Sequence, residues 1–141
     1  MIELYSTNES VATGSAIPLD NVSLQKGITA VSSGSSAINL NTRGIYEVTF
    51  DASVTASEVP TTGSVLLSVQ LEKDNVAQPQ AQSSVTPADT TTVYHLSFTT
   101  LIQVNCNNNP GVSGALVSIA LVNNGVPATF KNVNVCVTKL V

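Results

Sequence analysis

From Ile45 to Val54 the chain alternates, with Tyr46, Val48, Phe50, Ala52 and Val54 on one side and mostly polar residues, Glu47, Thr49, Asp51 and Ser53 after Ile45, on the other. A period of two predicts a half-buried β-strand. The same period returns at Ser64 to Glu72, Thr90 to Val104, Ala115 to Leu121 and Phe130 to Leu140, and no stretch carries helical spacing. Shorter strands are expected at Ala16 to Leu19, Ile28 to Val31 and Ala37 to Leu40. Val76 to Val85 contains Pro79, which cannot donate to a ladder, so this segment is expected on a sheet edge or at an irregularity. Asn41 to Gly44, Pro60 to Gly63, Asp74-Asn75, Asn107 to Gly111 and Asn124-Gly125 supply the turns. Eight to ten strands of this kind bury their apolar faces as two antiparallel sheets sharing one core. The expected organisation is one domain over 1–141, with residues 1–13 as an N-terminal arm.

Only 10% of the 141 residues are charged, against about 25% in an average soluble protein, and Ser, Thr, Asn and Gln fill the polar positions. The net charge of −4 and five dispersed basic residues, Lys26, Arg43, Lys73, Lys131 and Lys139, argue against nucleic acid as a partner. The longest apolar runs fall far short of the ~20 residues of a membrane helix, and no secretion leader is visible, so a soluble chain is expected.

Candidate chemistry is sparse. His95 is the one histidine, and its parity sets it opposite Tyr94, Leu96 and Phe98 with no nucleophile or orienting acid beside it in sequence. Glu47 and Asp51 share a strand face but lie ~13 Å apart, too far for a pair of glycosidase carboxylates. Asp20-Asn21 could offer oxygens to calcium, though one carboxylate beside one amide is ordinary turn chemistry. Three His and Cys residues without ligand spacing do not make a zinc site. No phosphate-binding glycine loop, nucleophile elbow or cofactor fingerprint occurs. The expectation is therefore no enzyme, no cofactor and no metal. Cys106 falls on the core side of its strand and Cys136 opposite Val133, Val135 and Val137, so the two thiols are expected to be unbridged.

The order Ala16-Ile17-Pro18-Leu19-Asp20-Asn21-Val22, Lys26-Gly27-Ile28-Thr29, Gly44-Ile45-Tyr46-Glu47-Val48-Thr49-Phe50, then an aliphatic strand entering Lys73-Asp74-Asn75-Val76, resembles the BclA-type C-terminal domain. That domain belongs to the wider C1q and tumour-necrosis-factor-like group. The resemblance implies a two-sheet antiparallel jelly roll of about ten strands and a homotrimer. It also implies that the sheet holding residues 44 to 54, 92 to 104 and 130 to 140 faces the threefold axis. Outward positions on those strands, Ile45, Glu47, His95, Leu101, Asn134, Cys136 and Leu140, are then the expected trimer interface. Stand-alone domains of this type resemble phage and prophage structural proteins. The implied role is a virion decoration or head-fibre protein, made in the bacterial cytoplasm and partnered by other capsid proteins. The alternative is a cell-surface binding head for a glycan or protein, for which Tyr5 and Phe130, the aromatic residues off the core parity, would be the candidate rings.

Overall fold

The computed structural model describes residues 1–27, 29–33, 36–61, 63, 65–105 and 117–141. The strands are β1 (Ile2–Val11), β2 (Asn21–Gln25), β3 (Ala30–Ser33), β4 (Ala37–Leu40), β5 (Gly44–Ala56), β6 (Leu67–Lys73), β7 (Val76–Val85), β8 (Tyr94–Val104), β9 (Val117–Asn123) and β10 (Ala128–Lys139). Sheet I runs β2-β1-β10-β5-β8 and sheet II runs β3-β4-β9-β6-β7. Every pairing is antiparallel. The result is a ten-stranded jelly roll whose two inner faces share one core, as the alternation requires.

Tyr46, Val48, Phe50 and Val54 of β5 meet Leu67, Val69 and Leu71 of β6 in that core, together with Ile38, Leu40, Ile119 and Leu121. Tyr46 is fully buried, and its hydroxyl lies 2.8 Å from the Thr42 carbonyl and 3.0 Å from the Thr29 carbonyl, tying the entry of β5 to the loop before β3. Asp74 and Asn75 have φ of 50° and 65°, so the β6–β7 hairpin turns on two left-handed residues, the conformation these short polar side chains tolerate. Asp74 also fastens this tip to β9, its Oδ1 accepting the Ser118 N–H at 2.8 Å. Pro79 lies on β7, the edge of sheet II, where the register shifts opposite Gln70 and Glu72. Gly125 is required at the β9–β10 turn, because a Cβ there would collide with the Leu66 carbonyl oxygen.

Three expectations need correction. Residues 1–13 are not an arm: β1 is an interior strand of sheet I, between β2 and β10. Its alternation is interrupted, with Ile2, Leu4 and Ser6 inward, a positive φ of 54° at Asn8, and Val11 inward after it. Ala16 to Leu19 is not a strand; Ala16 makes one isolated bridge to Val122, while Ile17 and Leu19 plug the core. Phe130 is a core residue, 1% exposed, because Lys131 is an extra residue against β5 and reverses the parity of everything before it in β10. Cys106, the Asn107 to Gly111 turn and residues 115–116 lie outside the described residues.

Candidate functional site on the outward face of sheet I

The ladders of sheet I place its outward side chains in rows. Nearest the start of β5, Leu140 donates its N–H to the Ile45 carbonyl at 2.8 Å and Ile45 stands opposite Gln103. The next row is Thr138, Glu47 and Leu101, followed by Glu3, Cys136, Thr49 and Thr99. Tyr5, Asn134, Asp51 and Ser97 form the fourth row, and Thr7, Asn132, Ser53 and His95 the fifth. All seven residues expected at a trimer interface, Ile45, Glu47, His95, Leu101, Asn134, Cys136 and Leu140, stand on this one face. A face gathered this way can pack on another flat surface, with aliphatic contacts at one end and hydrogen bonds at the other.

The aliphatic end is exposed: Ile45 is 36%, Leu101 57% and Leu140 52% accessible. The polar end holds a shallow depression of about 350 Å³ lined by Tyr5, Thr7, Asp51, Ser53, His95, Asn132 and Asn134, among others. Within it the Asn134 amide donates to Glu3 at 2.9 Å, and that bond, with a second from Ser23, holds the Glu3 carboxyl below its ordinary range. Cys136 is a free, half-buried thiol whose Sγ lies 3.9 Å from the Thr138 hydroxyl.

The register also joins a pair not visible from sequence spacing: Ser53 Oγ and His95 Nδ1 are 3.2 Å apart across β5 and β8. A hydroxyl beside an imidazole is nucleophile and base in principle, but acyl transfer also needs free N–H donors for a developing oxyanion. Ser53 sits on an interior strand whose N–H groups belong to the ladders. The pair is a cross-strand hydrogen bond on a flat sheet. Asp20, the candidate calcium residue, instead hydrogen-bonds Glu9, which raises the Glu9 carboxyl above its ordinary value, with desolvation and the Asp20 charge adding to the shift. Among the described residues no three His, Cys, Asp or Glu side chains come together to hold a metal ion. Of the two candidate glycan-stacking rings only Tyr5 is accessible, at 39%.

No protein-family model matches the chain, and no curated protein is significantly similar in sequence. Solved structures are similar in fold. The Eiger TNF of S. frugiperda superposes with a TM-score of 0.69 at 11% identity, covering 99% of this chain and 92% of that one. Murine APRIL gives 0.58 at 9% identity with 99% and 98% covered, and rabbit GITRL gives 0.53 at 13% with 100% and 95% covered. At such identities the likeness concerns architecture, and it extends along both chains from end to end: this chain has the TNF-like jelly-roll fold.

Proposed function

We propose that this protein is a non-catalytic structural module, a homotrimer that decorates a phage particle or forms part of a head fibre. The observation that carries the trimer is the line of Ile45, Leu101 and Leu140 on the outward face of β5, β8 and the end of β10. Exposed aliphatic side chains gathered on a flat sheet lose their contact with water when copies pack together, and closed cyclic symmetry limits the assembly. The polar rows beyond them, with Asn134, Asp51, Ser53 and His95, supply directional partners that set orientation.

The phage assignment rests on the resemblance in motif order and on a weakly charged, hydrogen-bonding surface suited to dense arrays. Light scattering on the purified chain tests the assembly. A mass three times the 14.6 kDa chain is expected, and Leu101→Glu should return it to one chain. A monomeric wild type at ~100 μM, well above the range of a specific interface, refutes the trimer. Mass spectrometry of purified virions tests location: the chain should be present in many copies, and its absence beside other structural proteins refutes the decoration role.

A further inference from the structure

The turn between β9 and β10 carries Asn124-Gly125, the one Asn-Gly pair in the chain. Asparagine before glycine is chemically labile: with no Cβ in the way, the glycine nitrogen can attack the asparagine Cγ, expel ammonia and close a succinimide ring. Water then opens the ring at either carbonyl and leaves aspartate or isoaspartate. The fold cannot dispense with this glycine, because a Cβ at residue 125 would lie 2.7 Å from the Ser68 nitrogen and collide with the Leu66 carbonyl oxygen. The fold also restrains both reacting groups. The Gly125 N–H donates to Asn123 Oδ1 at 3.0 Å, and the Asn123 amide donates in turn to the Val11 and Val126 carbonyls at 3.1 and 3.0 Å, so the side chain that holds the N–H is itself anchored twice and buried. The Asn124 carboxamide is drawn toward Gln70, donating to its Oε1 at 3.1 Å. Three further bonds fix the peptide planes: Asn124 N–H to the Ser68 carbonyl at 3.2 Å, Val126 N–H to the Leu66 carbonyl at 2.9 Å, and the Thr13 hydroxyl to the Gly125 carbonyl at 2.7 Å.

We propose that Asn124 is a latent modification site, converted to aspartate or isoaspartate only in chains whose β9–β10 turn has opened, and that the Asn123 carboxamide is the lock that holds the turn unreactive. Attack requires the Gly125 nitrogen to lose its proton and turn its lone pair onto Asn124 Cγ, which the folded turn prevents until the bonds to Asn123, Ser68 and Leu66 break. The C–N bond formed at Cγ replaces the one lost with ammonia, and one water is consumed for each ring opened, so no oxidant or further reactant is needed. Either product marks the chain. Isoaspartate carries the main chain through Cβ, lengthening it by one carbon directly before a residue with no space at its Cα, so the turn cannot reclose in its former register. Aspartate places a new carboxylate in the shallow depression that Asn124 lines with Glu58, Leu66 and Pro127, adding negative charge beside Glu58.

This inference depends neither on the trimer nor on the phage assignment. It is tested by peptide mapping with mass spectrometry after incubation of the full chain in mildly alkaline buffer, each variant's rate at Asn124 being taken relative to the same variant held unfolded in urea. The folded wild type should react roughly a hundredfold or more slowly than the unfolded chain, because several hydrogen bonds must break together before attack. Asn123→Ala should raise the folded rate roughly tenfold or more, and Gln70→Ala, which removes one exposed neutral bond and leaves the melt unchanged, roughly threefold. Phe98→Ala, a comparable loss of stability on β8 rather than at the turn, should leave the rate near the wild-type value. If melting and circular dichroism show that Asn123→Ala does not fold, Gln70→Ala and Thr13→Val carry the test. A folded rate equal to the unfolded one, no acceleration with Asn123→Ala or, where that chain does not fold, with either of the other two, or an equal acceleration with Phe98→Ala, overturns the proposal.

Discussion

Phe130→Ala separates the bulged register of β10 from strict alternation. With strict alternation Phe130 lies opposite Val133, Val135 and Val137 and faces solvent, and truncation costs almost nothing. In the structure Lys131 is accommodated as an extra residue, the ring is fully enclosed, and its partner across the ladder is Val54. Removing a buried phenylalanine costs about 3–5 kcal/mol, combining lost transfer energy with the cavity left behind. For a chain of this size each kcal/mol is about 2–4 °C, so the melting point should fall by roughly 6–20 °C. Phe98→Ala is the internal standard. Phe98 is half-buried and stacks on Phe50 with centroids 5.2 Å apart, so its loss should cost less, about 2 kcal/mol. Urea unfolding followed by far-ultraviolet circular dichroism, at one fixed chain concentration because assembly contributes to stability, gives both numbers. A cost below about 1 kcal/mol for Phe130→Ala, with Phe98→Ala clearly larger, would refute the bulge and the core assignment built on it.

Tyr46→Phe should cost about 1–2 kcal/mol, since it deprives the part-buried carbonyls at Thr42 and Thr29 of the hydroxyl they share, and an unchanged melt would show those bonds to be dispensable. Asn123→Ala should cost more, about 2–3 kcal/mol, because the amide donates to Val11 and Val126 while its oxygen accepts from Gly125, and a loss under 1 kcal/mol would count against that role. Ser6→Ala should stabilise by about 1 kcal/mol, because the buried Ser6 hydroxyl has no partner among the described residues, and a destabilised variant would reveal a hidden one. Asp89 is held below the ordinary aspartate range by hydrogen bonds from Thr92, side chain and backbone, and then from Thr91. Its contribution is therefore present above the unfolded aspartate value and lost as pH falls through the lower folded value. Asp89→Asn should flatten the acid limb of a pH–stability profile, and an identical limb in both proteins would contradict this.

Strands β4, β5, β6, β8, β9 and β10 were legible because each keeps an apolar face for a period of two to show, whereas β7, with Ala81 its one buried side chain, was marked by the hairpin turn before it and by Pro79. Strand β1 was not, because Asn8 and Lys131 are both set out of the β1–β10 ladder, so the inward positions change from even to odd at mid-strand. Strand β2 was not because all five of its side chains are exposed; it is held by backbone pairing to β1 and has no apolar face to reveal it. Phe130 was misassigned for the same reason as β1, since one extra residue reverses every position on one side of it. On the outward face of sheet I, parity alone placed Ile45, Leu101 and Leu140. The contact of Ser53 with His95 depends on pairing between strands far apart in sequence. No local pattern encodes which residues such a register will bring together.

The antiparallel pairing of β1 with β10 has a directional consequence. Ile2 stands opposite Val137 and the Ile45 N–H reaches the Val141 carbonyl, so the first and last residues leave the sandwich at the same end. At the far end lie the segments 12–15, 57–61, 86–93 and 124–127, which join strands without carrying either terminus. A tether attached to either terminus would therefore point the same loops away from its anchor. Glu9, Asp20, Glu58 and Asp89, four of the nine acidic residues, belong to that distal end, so the end opposite both termini is the acidic one. A short linker from Val141 to Met1 with new termini opened in 86–93 should give a permuted chain that folds and displays in the opposite sense.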